Sequence, residues 1–279
     1  MSGSPSSTDV SSPSRIWPVV RMLARVDRGR KRLNNEDAVG VEPEAQPWPV
    51  AVLADGMGGY SSGEVASSMA VDLVMAAVQR GDEENRSAKA AVHEIVDALQ
   101  LANRAILTAA QSIDGCRGMG TTIVAALVLD EELLVAHLGD SRAYIWRDGR
   151  LQRITRDHSL VQYEMDAGLI TELEAQKSAN AHLVTRALGV GPRIVPELTR
   201  WSLQLDDRVL LCSDGLTDML SDQMISKLFS EGLSLPLLLT ALISAANAAG
   251  GKDNIGVVLM EADIKLLPGL GMDLGSVEI

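Results

Sequence analysis

An α+β fold, with two sheets and helices outside them, is predicted by three observations. Two amphipathic helical stretches come early, short β-prone runs fill the middle, and two further helices precede a terminal strand. The middle runs are Thr122–Leu129, Leu133–Leu138, Arg142–Trp146 and Leu151–Ile154. Only short turns separate them, which predicts a meander of adjacent antiparallel strands. A doubly wound dinucleotide fold is disfavoured, because no G-x-G-x-x-G opens a helix after the first strand. Nor is Gly250-Gly251-Lys252-Asp253 a phosphate loop, since Asp follows the lysine where Ser or Thr is needed.

Taken in order, the chain opens on MSGSPSSTDVSSPS, which is polar, rich in Ser and Pro, and unlike a secretion signal. Residues 1–15 are expected to form a flexible tail. Val19–Val26 reads as a first strand. The charged stretch DRGRKRLNNEDAVGVE then crowds Arg28, Arg30, Lys31 and Arg32 ahead of a strand over Ala38–Val41. Pro43, Pro47 and Pro49 bracket a loop before the strand that ends at Asp55. Ser61 and Glu64 have capping-box spacing, with Val65, Ala66, Met69 and Leu73 at helical intervals behind them. Val92, Ile95, Leu99, Ala102, Ile106, Ala109 and Ile113 trace the stripe of a long helix packed on a sheet.

Asp148-Gly149 is a hairpin turn. Thr171 and Glu174 offer another capping box within the irregular stretch 155–198, and Trp201, Leu203 and Leu205 alternate as in a strand. Val209–Cys212 then runs into Ser213-Asp214-Gly215. Leu216–Phe229 and Leu235–Ala249 read as helices, Ile255–Ala262 as the last strand, and 264–279 as a C-terminal tail. One domain over 16–263 accounts for the rest.

The 46% hydrophobic content of the 279 residues is ample for a large core, which the 3% aromatic content makes aliphatic. Lys+Arg 25 against Asp+Glu 37 leaves a formal charge of −12, which argues against nucleic acid or an anionic membrane as the main partner. Cys116 and Cys212 make neither a disulfide framework nor a thiolate metal cluster. The longest apolar run, Leu233–Ile243, is too short for a span and contains Pro236, so no membrane insertion is expected. A cytoplasmic monomer is the default.

The stretch VLADGMGGY at 52–60 is the provisional centre of an active site. An apolar strand ends in an acid there, which is costly unless the acid is hydrogen-bonded, paired or metal-bound. The glycines behind it allow an ion or phosphate close to the backbone. Asp214 repeats the theme, Asp253 precedes the last strand, Asp37 precedes another, and Asp140 terminates the strand Leu133–Leu138. Carboxylates at sheet rims without a matching set of Cys or His suit a hard cation, Mg²⁺ or Mn²⁺, over zinc. Turn-forming and helix-capping aspartates would read the same way.

Six segments bear on that choice: RLNNED at 32–37, ADGMGG at 54–59, GMGTT at 118–122, GDSRAY at 139–144, SDGLTD at 213–218 and GKDNIG at 251–256. In order, they resemble the motifs of the bacterial PP2C (PPM) metal-dependent Ser/Thr protein phosphatases, over roughly residues 20–263. The resemblance implies a four-layer αββα sandwich, with two antiparallel sheets flanked by helices and two divalent cations, Mn²⁺ or Mg²⁺, in the cleft at the sheet edges. It implies that Asp55 bridges both cations, with the Gly56 carbonyl as a further ligand and Asp214 and Asp253 binding one of them. Glu36 and Asp37 look like the pair that orients the metal-activated water. Arg32 looks like the phosphate-binding arginine, Asp140 like part of a third, weaker metal site, and Asn254 like a support for Asp253.

A cation pair lowers the pKa of a shared water and stabilises charge on the phosphoryl oxygens, so no protein nucleophile is needed. Ser141 and Ser213 are then structural groups beside aspartates. Many family members carry a histidine shortly after the first Asp-Gly. Here the sequence reads DGMGGY, with Met57 and Tyr60 nearby, and His158 is the local candidate for a general acid.

Residues 158–190 resemble the flap beside the family's cleft, where Met165, Leu169 and Ile170 either touch substrate or pack on the flap's base. The implied function is hydrolysis of phosphoserine and phosphothreonine in proteins, opposing a Ser/Thr protein kinase. A phosphatase for small phosphate esters and a phosphate-binding regulatory module without turnover are the alternatives.

Overall fold

Strand β3 (Val50–Met57) shows how the layers arise. Val50, Val52 and Ala54 pack in one hydrophobic cluster, while the intervening Ala51 and Leu53 pack in another. Both faces of the strand are therefore covered, and an unbroken apolar run replaces the alternation of a half-exposed strand. The same division runs along β5 (Ile123–Leu129), β6 (Glu132–Leu138), β10 (Arg208–Cys212) and β11 (Ile255–Ile264).

The computed structural model describes residues 18–58, 62–81, 85–129, 132–175 and 177–264. The predicted tail over 1–15, nearly all of that over 264–279, Tyr60, and the Ser61 of the first capping box lie outside the described residues. β1 (Pro18–Asp27), β7 (Arg142–Arg147) and β8 (Arg150–Arg153) join β10 and β11 in one sheet, ordered β1-β11-β10-β7-β8. The other sheet runs β2-β3-β5-β6-β9, with β2 (Asp37–Glu42), β9 (Glu197–Ser202), and the short β4 (Gly120–Thr121) beside β3. All pairings are antiparallel.

Three apolar layers hold four layers of structure. One lies between the sheets. A second joins the β3 sheet to α1 (Ser62–Val78) and α2 (Ala88–Ser112), and a third joins the β11 sheet to α5 (Asp214–Thr217), α6 (Asp222–Ser230) and α7 (Leu235–Ala248). This is the αββα sandwich. Each fully buried aliphatic side chain contributes about 1.5–3 kcal/mol, and the few aromatics add to this, with Trp48, Tyr144 and Phe229 buried in the two outer layers. No helix among the described residues is long and apolar enough to cross a membrane.

Two expectations need correction. The middle strands are not one meander: β5 pairs with β6 and β7 with β8, but β6 and β7 belong to different sheets. Both edges of β6 are taken, by β5 and β9, so after Leu138 the chain crosses to the facing sheet through Gly139, Asp140 and Ser141. Gly139 has φ 109°, and a Cβ there would come within 2.6 Å of the Thr122 side chain. The helix expected over Leu216–Phe229 is two helices, because Ser221 caps α6 by accepting a hydrogen bond from the Met224 N–H.

Two turn and cap signals hold, while the strand expected through Trp201, Leu203 and Leu205 ends at Ser202. Asp148 (φ 50°) and Gly149 (φ 73°) make the hairpin turn. Thr171 and Glu174 cap each other at α4 (Glu172–Ala175), downstream of α3 (Leu160–Asp166).

Candidate metal centre

The inward face of β2 and β3 outlasts the apolar core and ends in acids. Val39 and Val41, like Ala51 and Leu53, pack between the sheets, so Asp37 and Asp55 continue those faces at one end of the sandwich. The two are direct cross-strand partners, and like charges so placed cost stability unless protons or cations intervene. Ser213, at the end of β10 in the facing sheet, closes the gap. Its Oγ donates to Asp37 Oδ2 at 2.8 Å and accepts from the Gly256 N–H at 2.8 Å. A Cβ on Gly256 would stand 3.0 Å from that same Asp37 oxygen, so glycine leaves room for the contact.

Asp214 opens α5, and Asp253 lies in the turn before β11. A Cβ on Gly215 would fall 1.8 Å from the Asn254 carbonyl oxygen, so the absence of one is what lets α5 press onto that turn. Asn254 is buried and ties the β1–β2 loop down. Its Nδ2 donates to the Arg28 and Asn34 carbonyls at 3.0 and 2.8 Å, and its Oδ1 accepts from the Glu36 N–H at 2.8 Å. Its own N–H donates to Asp253 Oδ1 at 2.8 Å. From the same loop, Arg32 Nη2 reaches Asp253 Oδ2 at 2.5 Å.

Backbone bonds complete the frame. The Asp55 N–H donates to Thr122 Oγ1 at 3.0 Å, and Thr121 Oγ1 donates to the Asp55 carbonyl at 2.8 Å. The Gly56 N–H donates to the Glu36 carbonyl at 3.0 Å, and a Cβ on Gly56 would lie 2.1 Å from the Gly63 carbonyl oxygen at the start of α1. Ser141 shares a 2.7 Å hydrogen bond with Thr122, in keeping with a structural role.

These carboxylates hold protons more tightly than exposed ones do. Burial pushes Asp37 up to about 7, with the charge of Asp253 adding to it and the Ser213 hydrogen bond opposing. Burial likewise raises Asp55 well above the usual range, with Asp37 and Asp214 adding, and raises Asp214, with Asp140 and Asp218 adding. Asp140 is pushed up to about 6 by burial and then by Asp157. Glu36 is raised by burial against the pull of Arg32.

A divalent cation fits this donor set. The converging groups offer only oxygen, several are only partly buried, and Asp37 Oδ1 is buried with no hydrogen-bond partner. An ion there would supply the positive charge that the mutual repulsion calls for.

The structure brings Asp37, Asp55, Asp140, Asp214 and Asp253 to one end of the sandwich, with Glu36, Arg32 and Asn254 on the loop and turn beside them. Sequence reasoning missed Asp218. It lies one turn beyond Asp214, its N–H donating to the Asp214 carbonyl at 2.7 Å, and burial raises its pKa while Arg142 opposes and Asp253 adds. The i, i+4 spacing inside SDGLTD was the signal.

His158 has another place. Its Nδ1 accepts from the Gly139 N–H at 3.2 Å, and its Nε2 bonds Glu197 Oε2 at 3.3 Å, so both ring nitrogens are engaged. It stacks on His137 with centroids 4.6 Å apart. Among the described residues, His137, His158 and Glu197 do bring three ligand-type atoms within 4.8 Å of one another. The two rings are only 4° from parallel, however, so their in-plane lone pairs run side by side instead of converging. This group braces the Gly139–Asp140 crossing and is not placed as a general acid.

The sequence profile of the Protein phosphatase 2C family matches residues 27–247. The chain belongs to the protein phosphatase 2C family. It is 36% identical over 244 residues to the serine/threonine phosphatase Stp of Listeria monocytogenes, a match covering 86% of this chain and 95% of that protein. The solved S. agalactiae serine/threonine phosphatase superposes with a TM-score of 0.82 at 33% identity, over 88% of this chain and 100% of that one. The catalytic domain of the serine/threonine protein phosphatase PstP, solved with two manganese ions, superposes with a TM-score of 0.77 at 35% identity, over 88% of this chain and 99% of that one. This protein phosphatase 2C chain thus shares its fold with a relative solved with two manganese ions.

Proposed function

We propose that this protein hydrolyses phosphoserine and phosphothreonine in proteins with the help of two divalent cations, Mn²⁺ or Mg²⁺. The observation that carries this reading is the convergence of carboxylates from separate segments at one end of the sandwich, Asp37 and Asp55 as direct cross-strand partners with Asp214 and Asp253 close enough for their charge to raise the Asp55 pKa. Its support from relatives is the naming of Stp as a serine/threonine phosphatase and the two manganese ions in PstP.

Asp55, the Gly56 carbonyl, Asp214 and Asp253 would hold the ions, with Asp140 and Asp218 forming a third, weaker site. When bound, the cations supply an activated water and offset charge on the phosphoryl group. Asp37 and Glu36 would orient that water. The Ser213 hydrogen bond occupies Asp37 Oδ2 and leaves Oδ1 as the acceptor. Arg32 is anchored by Asp253 at Nη2 and half-exposed, and its planar fork grips phosphoryl oxygens. Met57 has no proton to give and His158 is engaged, so the leaving-group proton is assigned to water.

Residues 158–190 act as a flap. Its base is stitched to the site by paired hydrogen bonds between Thr121 and Leu188, while Tyr163, Leu169 and Leu173 stand exposed. The substrates are phosphoproteins made by a Ser/Thr kinase. Cys116 and Cys212, both free and buried, suit a reducing cytoplasm.

The test is phosphate release from a phosphothreonine peptide with Mn²⁺ or Mg²⁺, with chelator and Asp214→Ala controls. Turnover that the chelator and the substitution both abolish is expected. Full turnover in the variant would overturn the site assignment, and no turnover by folded, metal-loaded protein would overturn the enzyme reading.

A further inference from the structure

The proposed mechanism uses one arginine from a loop that carries four cationic side chains. Arg28, Arg30, Lys31 and Arg32 fall within five residues of a chain whose net charge is −12. All four are exposed, and Leu33 beside them is 88% exposed. A basic run on an acidic surface is ordinarily a solvated face. Three features make this one different.

First, the loop is held rigidly against the candidate centre. The Asn254 amide binds the Arg28 and Asn34 carbonyls, so one side chain pins both ends. The Arg30 N–H donates to the Gly251 carbonyl at 2.7 Å. Gly29 takes φ 75°, where a Cβ would meet the Asp253 carbonyl oxygen at 2.1 Å. A loop needing only to be soluble requires no such fixing, whereas a recognition loop gains affinity by being ordered beforehand.

Second, the pinning residue is next to Asp253, which Arg32 also contacts, and Arg30 and Lys31 directly precede Arg32 on the same loop. Lys252 is exposed on the same turn and adds a cation. An extended peptide advances about 3.3–3.6 Å per residue, which brings the positions next to the phosphoresidue within reach of these side chains. Third, the apolar Leu33 at the tip gives the patch a non-ionic contact, which suits a peptide better than a free anion.

We propose that the Arg28–Leu33 loop is a docking surface for the acidic flank of a phosphorylated segment, so the enzyme prefers phosphoresidues with Asp or Glu close by in sequence. This rests on the proposed phosphatase activity and names its substrate class.

The experiment compares kcat/KM for phosphothreonine peptides with acidic, neutral or basic flanks, alongside a small phosphate ester. Wild-type protein and the double variant Arg30→Glu/Lys31→Glu are both measured, at low and near-physiological salt. Wild-type protein should favour the acidic peptide over the basic one by about tenfold at low salt, the preference shrinking as salt screens exposed charges. The double variant should lose or reverse that preference through KM while hydrolysing the small ester at the wild-type rate. Wild-type turnover of all peptides with no flank preference would overturn the docking surface and leave the phosphatase reading standing. A preference unchanged in the double variant would overturn it as well. So would binding of the loop to vesicles rich in phosphatidylserine, lost in the variant, with peptide preference unchanged. Failure of wild-type protein on every ester would instead count against the activity itself.

Discussion

Asn254→Ala removes the side chain that joins loop, turn and cleft. Three side-chain hydrogen bonds disappear, to the Arg28 and Asn34 carbonyls and from the Glu36 N–H, at a position only 4% exposed. At about 1 kcal/mol net for each bond, the loss is roughly 3 kcal/mol. For a domain of this size about 1 kcal/mol lowers Tm by roughly 2–4 °C, so scanning calorimetry should show a fall of roughly 6–12 °C. Arg32 and Glu36 also lose their common anchor. Phosphopeptide kcat/KM should fall by roughly 10²-fold, as expected for misplaced positioning groups. Asn254→Asp is the companion variant. It keeps the acceptor for Glu36 but loses both donors and adds a negative charge beside Asp253, so it should be at least as damaging near neutral pH and milder in acid. A Tm within about 1 °C of wild type for Asn254→Ala, with unchanged kinetics, would refute the reasoning and show that the Arg30–Gly251 backbone bond suffices.

Other outcomes follow from the same geometry. In metal-free protein, folded Asp37 keeps its proton up to about 7 against 3.8 for an ordinary aspartate, so the stability it contributes is complete below that lower value and is lost as pH rises through about 7. Metal-free protein should therefore unfold at lower urea concentration at about pH 8 than at about pH 5, and Mn²⁺ should restore stability most strongly at the higher value, because bound ligands must shed protons. Gly215→Ala should lower stability by about 1–3 kcal/mol or more and weaken Mn²⁺ binding in titration calorimetry, since its Cβ would collide with the Asn254 carbonyl; wild-type values for both would contradict the packing. Asp218→Asn should lower the affinity of the weakest Mn²⁺ site while leaving the melting curve of the metal-free protein unchanged or slightly raised. Unchanged stoichiometry and affinity would remove Asp218 from the site.

Much of this was readable from the chain because local periodicity survives folding. The apolar runs of β3, β5 and β10 show where strands are buried on both faces, and the acids at their ends mark where the inter-sheet core gives way to water. Sheet membership was not readable. Whether β7 pairs with β6 depends on β9 having taken the free edge of β6, a contact between residues as far apart in the chain as Glu132 and Ser202. The split at Ser221 was legible in principle as an N-cap, but the continuous apolar pattern around it carried the opposite message. His158 shows a different limit. Its sequence neighbourhood suggested chemistry, whereas Gly139 and Glu197, which occupy its two nitrogens, come from a crossing and an edge strand that the sequence does not place beside it.

Anomalous diffraction from Mn²⁺-loaded crystals, collected at the manganese edge, tests the central claim most directly. Two peaks are expected within ligand distance of the carboxylates of Asp55, Asp214 and Asp253, with Asp37 Oδ1 facing the space between them. Manganese found instead at His137, His158 and Glu197, with the aspartate cleft holding only water in fully loaded protein, would contradict the account.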